Sequence, residues 1–160
     1  MIKAIVFDLD NTLIDFMGAK RTSCNASIDA MIDAGLRMNK KKALKILFDL
    51  YKKYGIEHKL IFQKFLLKTT GRIDVKILSA GIVAYRRIQA SYHMPYKGVA
   101  HALKELKKRG YKLGILSDAT ALKAWLRLTE MDVQDYFDVV VTFSDTHRRK
   151  PHELPFRKVL

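Results

Sequence analysis

One cysteine, one tryptophan and three prolines stand among the 160 residues of this chain. A lone cysteine excludes an intrachain disulfide and favours a reducing compartment, so the expected location is cytoplasmic. Cys24 lies in "RTSCNAS" with no obvious base beside it, and reads as an ordinary side chain rather than a nucleophile. No apolar run approaches the ~20 residues needed to span a bilayer, and "MIK" opens onto a strand without a signal-peptide pattern. Acidic residues are scarce: 16 Asp and Glu face 30 Lys and Arg, a net charge of +14. Such an excess raises nucleic acid or another polyanion as a partner. The simpler reading is a set of lysine-coated solvated helices, and no zinc-ligand spacing, aromatic RNA-binding string or basic tail favours the polyanion.

Half the residues are hydrophobic, enough for one domain of ordinary size or a core with a modest insertion. "AIVFDLD" reads as a buried strand, too short and too rich in β-branched and aromatic residues for a helix. From Asp15 to about Met94 the pattern turns helical. "KKKALKILFDLYKKYG" spaces Leu44, Leu47, Phe48, Tyr51 and Tyr54 along a helix, with Asn39 able to cap it and Gly55 able to stop it. "HKLIFQKFLLKTTG" repeats the pattern and ends at Gly71. "DVKILSAGIVAYRRIQASY" is apolar on more than one side, which predicts a central helix. With Ala26 to Leu36 these make about four helices and a small bundle. After "HMPYKG" a regular rhythm begins: helix "VAHALKELKKRG", strand "YKLGILSD", helix "ATALKAWLRLTEM", strand "FDVVVTFSD", then a helix near Pro151. Such alternation predicts a parallel, doubly wound α/β sheet with right-handed crossovers. The expected domains are therefore an α/β core over 1–14 and 95–160, and a helical insertion over 15–94. There is no internal repeat or low-complexity segment.

Sites in open parallel sheets form beyond the carboxyl ends of the strands. Three polar clusters fall there: Asp8 and Asp10, Ser117 and Asp118, and Lys150 after the third strand. Each has a plainer reading. Aspartates suit turns, Ser and Asp cap helices, and a lysine beside Arg148 and Arg149 suits a solvated loop. Their shared placement carries the specificity, because together they form the set that phosphoryl transfer to an aspartate needs. A phosphate monoester is dianionic, so Mg²⁺ and the Lys150 ammonium must first offset its charge. Asp8 then attacks phosphorus. Asp10, protonated when substrate arrives, gives a proton to the leaving group and later takes one from water. Thr12 is expected to hold the turn and Ser117 a phosphate oxygen, and the oxygen-rich donor set suits Mg²⁺.

These stretches resemble a known family. "FDLDNTL" is similar to the D-x-D-x-T signature of the haloacid dehalogenase superfamily, "GILSD" to its second motif, and "RRKP" to its lysine motif. The resemblance spans the whole chain, with the 15–94 helices in the place of the α-helical cap. It implies a Rossmann-like core, Asp8 as nucleophile and metal ligand, and Asp10 as general acid/base with its main-chain carbonyl on Mg²⁺. It also implies that Ser117 and Lys150 grip the phosphate of a small phosphorylated substrate, with Thr12 and Asp118 as further candidate substrate-binding residues. Asp10 argues for a phosphatase over a 2-haloacid dehalogenase, which usually lacks that second aspartate.

One departure stands out. The family's fourth motif, acidic residues after a strand downstream of the lysine, has no counterpart before Leu160. The expectation is therefore the front part of a longer phosphatase, incomplete in its sheet, weak in Mg²⁺ binding and slow in turnover without a complementing segment. The uncovered edge of "AIVF" would invite self-association. Phe16, Met17, Phe62, Phe65, Tyr85 and Tyr92 are candidates for a substrate pocket, although aromatic residues at helical spacing more often form core. The reading outside enzymes is a non-catalytic basic module that binds nucleic acid or a protein partner.

Overall fold

The computed structural model describes residues 2–91 and 94–160, so the Tyr92 assignment lies outside the described residues. The chain divides into two compact units, Met1–Met17 with His93–Leu160, and Gly18–Tyr92.

The first unit is built on three parallel strands, β1 (Ala4–Phe7), β2 (Lys112–Leu116) and β3 (Val139–Val141), in the order β1-β2-β3. Ile5 pairs with Leu113 and Ile115 with Val140, so β2 is central and its last four residues are buried. Side chains alternate across the sheet. Leu113 and Ile115 pack with Leu103 of α5 (Val99–Lys108) and with Ala124 and Leu128 of α6 (Ala121–Glu130). On the other face, Gly114 leaves room for Val159 of α8 (Glu153–Val159), which clusters with Leu116 and Val141. Helices thus cover both faces, as the alternating pattern requires. Asp138, just before β3, accepts bonds from the Lys107 ammonium (2.8 Å), the Leu113 N–H (2.8 Å) and the Lys112 ammonium (3.3 Å). Those donors, Lys107 first, hold its carboxyl well below the usual carboxylate range.

Two sequence expectations need correction here. β1 keeps the uncovered edge expected for "AIVF", but Ala4 and Val6 are exposed rather than buried, because among the described residues it pairs only with β2. The third strand stops at Val141 rather than running to Asp145. Thr142 and Asp145 form a capping box that starts a one-turn helix, α7 (Phe143–Thr146).

The second unit comprises most of α1 (Phe16–Asp33) with α2 (Lys40–Tyr54), α3 (Ile61–Thr70) and α4 (Val75–Ser91). The Asn39 side chain accepts the Lys42 N–H at the start of α2, and Gly55 ends that helix with φ 98°. Gly71 ends α3 in the left-handed conformation that glycine adopts without cost. The core is formed by Ile28, Met31, Leu47, Phe65 and Leu66 with their neighbours. Phe62 and Phe65 are therefore packing residues, not pocket residues. Lys20 is buried among them, its ammonium donating to Tyr85 Oη (2.9 Å) and lying 4.3 Å from the Tyr51 ring centre. α4 is not the central helix that its composition predicts. Only Ile77 and Gly81 are buried, whereas Val75 and Val83 are exposed, because one stripe suffices to pack it. No helix among the described residues is long and apolar enough to cross a membrane.

Candidate active site

Asp8 follows the last residue of β1, where the ladder to β2 ends. Its Oδ1 accepts two bonds, one from the Leu9 N–H (2.8 Å) and one from the Lys150 ammonium (2.7 Å). Leu9 is fully buried while Asp8 and Asp10 are part-exposed, so the core anchors the residue between the two carboxylates. The turn beyond is tied by main-chain bonds from the Thr12 and Leu13 N–H groups to the Leu9 carbonyl. Thr12 takes part through its backbone and is itself exposed. The side chain that secures the turn is that of Asn11, which sits at φ 60° and accepts the Met17 N–H at 2.9 Å. Asparagine tolerates this left-handed backbone better than most residues.

The second cluster lies at the end of β2. Ser117 is 3% exposed and its Oγ accepts the Ala119 N–H (3.1 Å), which leaves its hydroxyl proton to donate elsewhere. Neither Ser117 nor Asp118 caps α6, whose N-cap position is Thr120. Asp118 Oδ1 instead accepts the main-chain N–H of Lys150 (2.9 Å). That bond fixes the loop that carries the lysine.

Lys150 joins all of this. Its ammonium reaches Asp8 Oδ1 and, at 2.9 Å, the Leu116 carbonyl at the end of β2. Hence Asp8, Asp118 and Lys150, 142 positions apart at their extremes, are linked by direct bonds across the ends of β1 and β2.

Asp10 has a partner that the sequence reading missed. Arg127 Nη1 donates to Asp10 Oδ2 at 2.9 Å, and the arginine is 5% exposed. Its guanidinium carbon lies 4.6 Å from the centre of the Phe16 ring, so Phe16 serves as a platform for that cation. A signal for Arg127 existed. It lies between Ala124, Leu128 and Met131 on the core-facing stripe of α6, where an arginine needs a buried acceptor.

The donor atoms here are oxygens, without sulfur or imidazole. That chemistry fits a hard cation such as Mg²⁺, which takes carboxylate, carbonyl and water oxygens. No group of three His, Cys, Asp or Glu that could hold a metal occurs among the described residues.

A family model described as haloacid dehalogenase-like hydrolase matches residues 2–160. The chain belongs to the haloacid dehalogenase-like hydrolases. The glyceraldehyde 3-phosphate phosphatase of Methanocaldococcus jannaschii is 33% identical over 152 residues, covering 95% of this chain and 67% of that protein. Two solved structures share the fold. A HAD phosphatase from Thermococcus onnurineus aligns with a TM-score of 0.63 at 23% identity, over 99% of this chain and 70% of its own. YfnB of Bacillus subtilis, solved bound to magnesium, aligns with a TM-score of 0.65 at 18% identity, over 98% and 72%.

Proposed function

We propose that this hydrolase is a phosphatase that releases the phosphoryl group of a small phosphorylated metabolite, with Asp8 as nucleophile. The observation that carries the reading is the 2.7 Å bond between the Lys150 ammonium and Asp8 Oδ1. That bond sets a cation beside a carboxylate at the strand ends, where a dianionic ester must be drawn in against repulsion. With Oδ1 engaged by two donors, Oδ2 is the attacking atom. It forms an aspartyl phosphate as the bond from phosphorus to the leaving oxygen breaks. Asp10 gives its proton to the departing alkoxide. It then takes one from the water that attacks phosphorus and restores the Asp8 carboxylate. The Ser117 hydroxyl donates to a phosphate oxygen, and Asp118 keeps Lys150 in place.

The Asp8 carboxylate and the Asp10 main-chain carbonyl would hold Mg²⁺, which when bound offsets charge on the transferring group. Magnesium in the structure of YfnB and the oxygen donors here support that assignment. The relative's name makes glyceraldehyde 3-phosphate the first substrate to assay.

Asp8→Asn should abolish hydrolysis of both glyceraldehyde 3-phosphate and p-nitrophenyl phosphate while the circular dichroism spectrum stays that of the parent. Undiminished hydrolysis by this variant would remove the reading. A second reading rests on charge. Residues 18–92 contain 16 Lys and Arg against five Asp and Glu, a net +11 of the total +14. A polyanion-binding module built on those helices would show salt-sensitive heparin binding that Asp8→Asn leaves unchanged.

A further inference from the structure

Asp10 is three residues past the end of β1, outside the ladder that fixes Ile5 and Phe7. A carboxylate on such a segment has two free side-chain torsions, yet a proton carrier must meet the leaving oxygen within hydrogen-bond reach. Something has to hold it. Arg127 is built for that purpose. It projects from α6, whose Ala124 and Leu128 are fully buried in the sheet's hydrophobic cluster, so its backbone is rigidly placed. Its guanidinium is confined from one side by the Phe16 ring and meets Asp10 Oδ2 at 2.9 Å with the directional, planar fork that a lysine lacks. Burying an arginine is costly unless its charge is paired and hydrogen-bonded. Here the buried guanidinium meets a carboxylate 117 positions away in sequence.

We infer that Arg127, seated on Phe16, is a positioning residue that aims the Asp10 carboxyl at the leaving oxygen. The inference rests on the role of Asp10 given under the proposed function. Arg127 acts through the carboxylate it holds, by its bond to Asp10 Oδ2 and its seat on the Phe16 ring.

Leaving groups separate this role from a merely structural one. A nitrophenolate departs with little help from an acid, whereas the alkoxide of glycerol 2-phosphate needs a proton as the bond breaks. Misplacing the acid therefore harms the alkyl ester far more than the aryl ester. Arg127→Met should slow glycerol 2-phosphate turnover by about 10²-fold, the order expected for losing a well-placed acid. Turnover of p-nitrophenyl phosphate should fall by under about tenfold, and KM for both should hold, because the phosphate grip through Ser117 and Lys150 is untouched. Arg127→Lys keeps the charge without the fork. It should show the same split to a smaller degree, and it serves should the methionine variant fail to fold.

Equal slowing of both esters, or of neither, in a folded variant would overturn the inference while leaving the phosphatase reading intact. A parent that hydrolyses neither ester, assayed in a chain that carries the complementing acidic segment, would remove both together. The expected result is a change in the ratio of the two rates, measured on parent and variants in parallel.

Discussion

Replacing Lys150 by methionine removes one cation and keeps most of the side chain's stem. The structure gives this change two separable consequences. The ion pair with Asp8 is partly solvated, with side chains 23% and 43% exposed. Pairs of that kind contribute at most about 1 kcal/mol to folding. The Leu116 carbonyl also loses the donor of a part-buried bond, a net change of about 1 kcal/mol. Each loss of about 1 kcal/mol corresponds to a melting shift of about 2–4 °C in a chain of this size. The catalytic loss should be much larger. A preorganised donor aimed at developing charge is worth about 10²–10³ in kcat, or roughly 3–4 kcal/mol. Lys150→Met should therefore turn over p-nitrophenyl phosphate at saturation some ~10²–10³-fold more slowly than the parent, while melting within several degrees of it. Stopped-time phosphate release and differential scanning calorimetry on the same preparations give the two numbers. Lys150→Arg should recover part of the rate, since charge returns in a different shape. A methionine variant with parental kcat would refute the reasoning, as would one whose lost activity is matched by lost folding.

Two further outcomes follow from the helical unit. A Cβ at Gly81 would run into Met31 Cε and Cγ and the Ser27 hydroxyl, so Gly81→Ala should destabilise by about 1–3 kcal/mol. Helix propensity alone would instead predict a gain of about 1 kcal/mol, so the sign of the shift in a urea titration decides. Burial pushes the Cys24 thiol up from 9.0 to about 11, against the opposing influence of Lys20 and a bond with Tyr51. The unfolded chain then loses that proton first as pH rises. Stability should fall across the window from 9.0 to about 11, by up to ~1.4 kcal/mol per pH unit. Tyr51, raised chiefly by burial and further by Cys24 and Tyr85, acts in the same direction. Urea midpoints that stay flat through this window would contradict the assignment, and so would fast native-state labelling of Cys24 at pH 8.

What could be read in the sequence was local. Asn39, Gly55 and Gly71 mark helix ends by chemistry that acts within a few residues, and all three hold in the structure. Asp8 and Lys150 were legible because a strand end is a place, and two strand ends of one parallel sheet are the same place. The start of α1 was not legible. Its buried face carries Lys20, Ser23 and Ser27, so no apolar stripe announces the ten residues before Ala26. The uncovered edge of β1 follows from the strand order that the resemblance implies, whereas its exposed Ala4 and Val6 were hidden by an apolar run that reads as buried. Arg127 depends on a partner far away in sequence, yet a charge at a core position of α6 was there to be noticed. The Thr142–Asp145 capping box was equally visible as threonine followed three places later by an acid.

The most direct test looks for the phosphoryl group on the protein itself. The chain is mixed with p-nitrophenyl phosphate and Mg²⁺, quenched in acid within milliseconds, and digested for mass spectrometry. The account predicts one added phosphoryl group on the peptide carrying Asp8, absent from Asp8→Asn and convertible by borohydride to homoserine at that position. Rapid hydrolysis with no such adduct, or with the adduct on another residue, would contradict it.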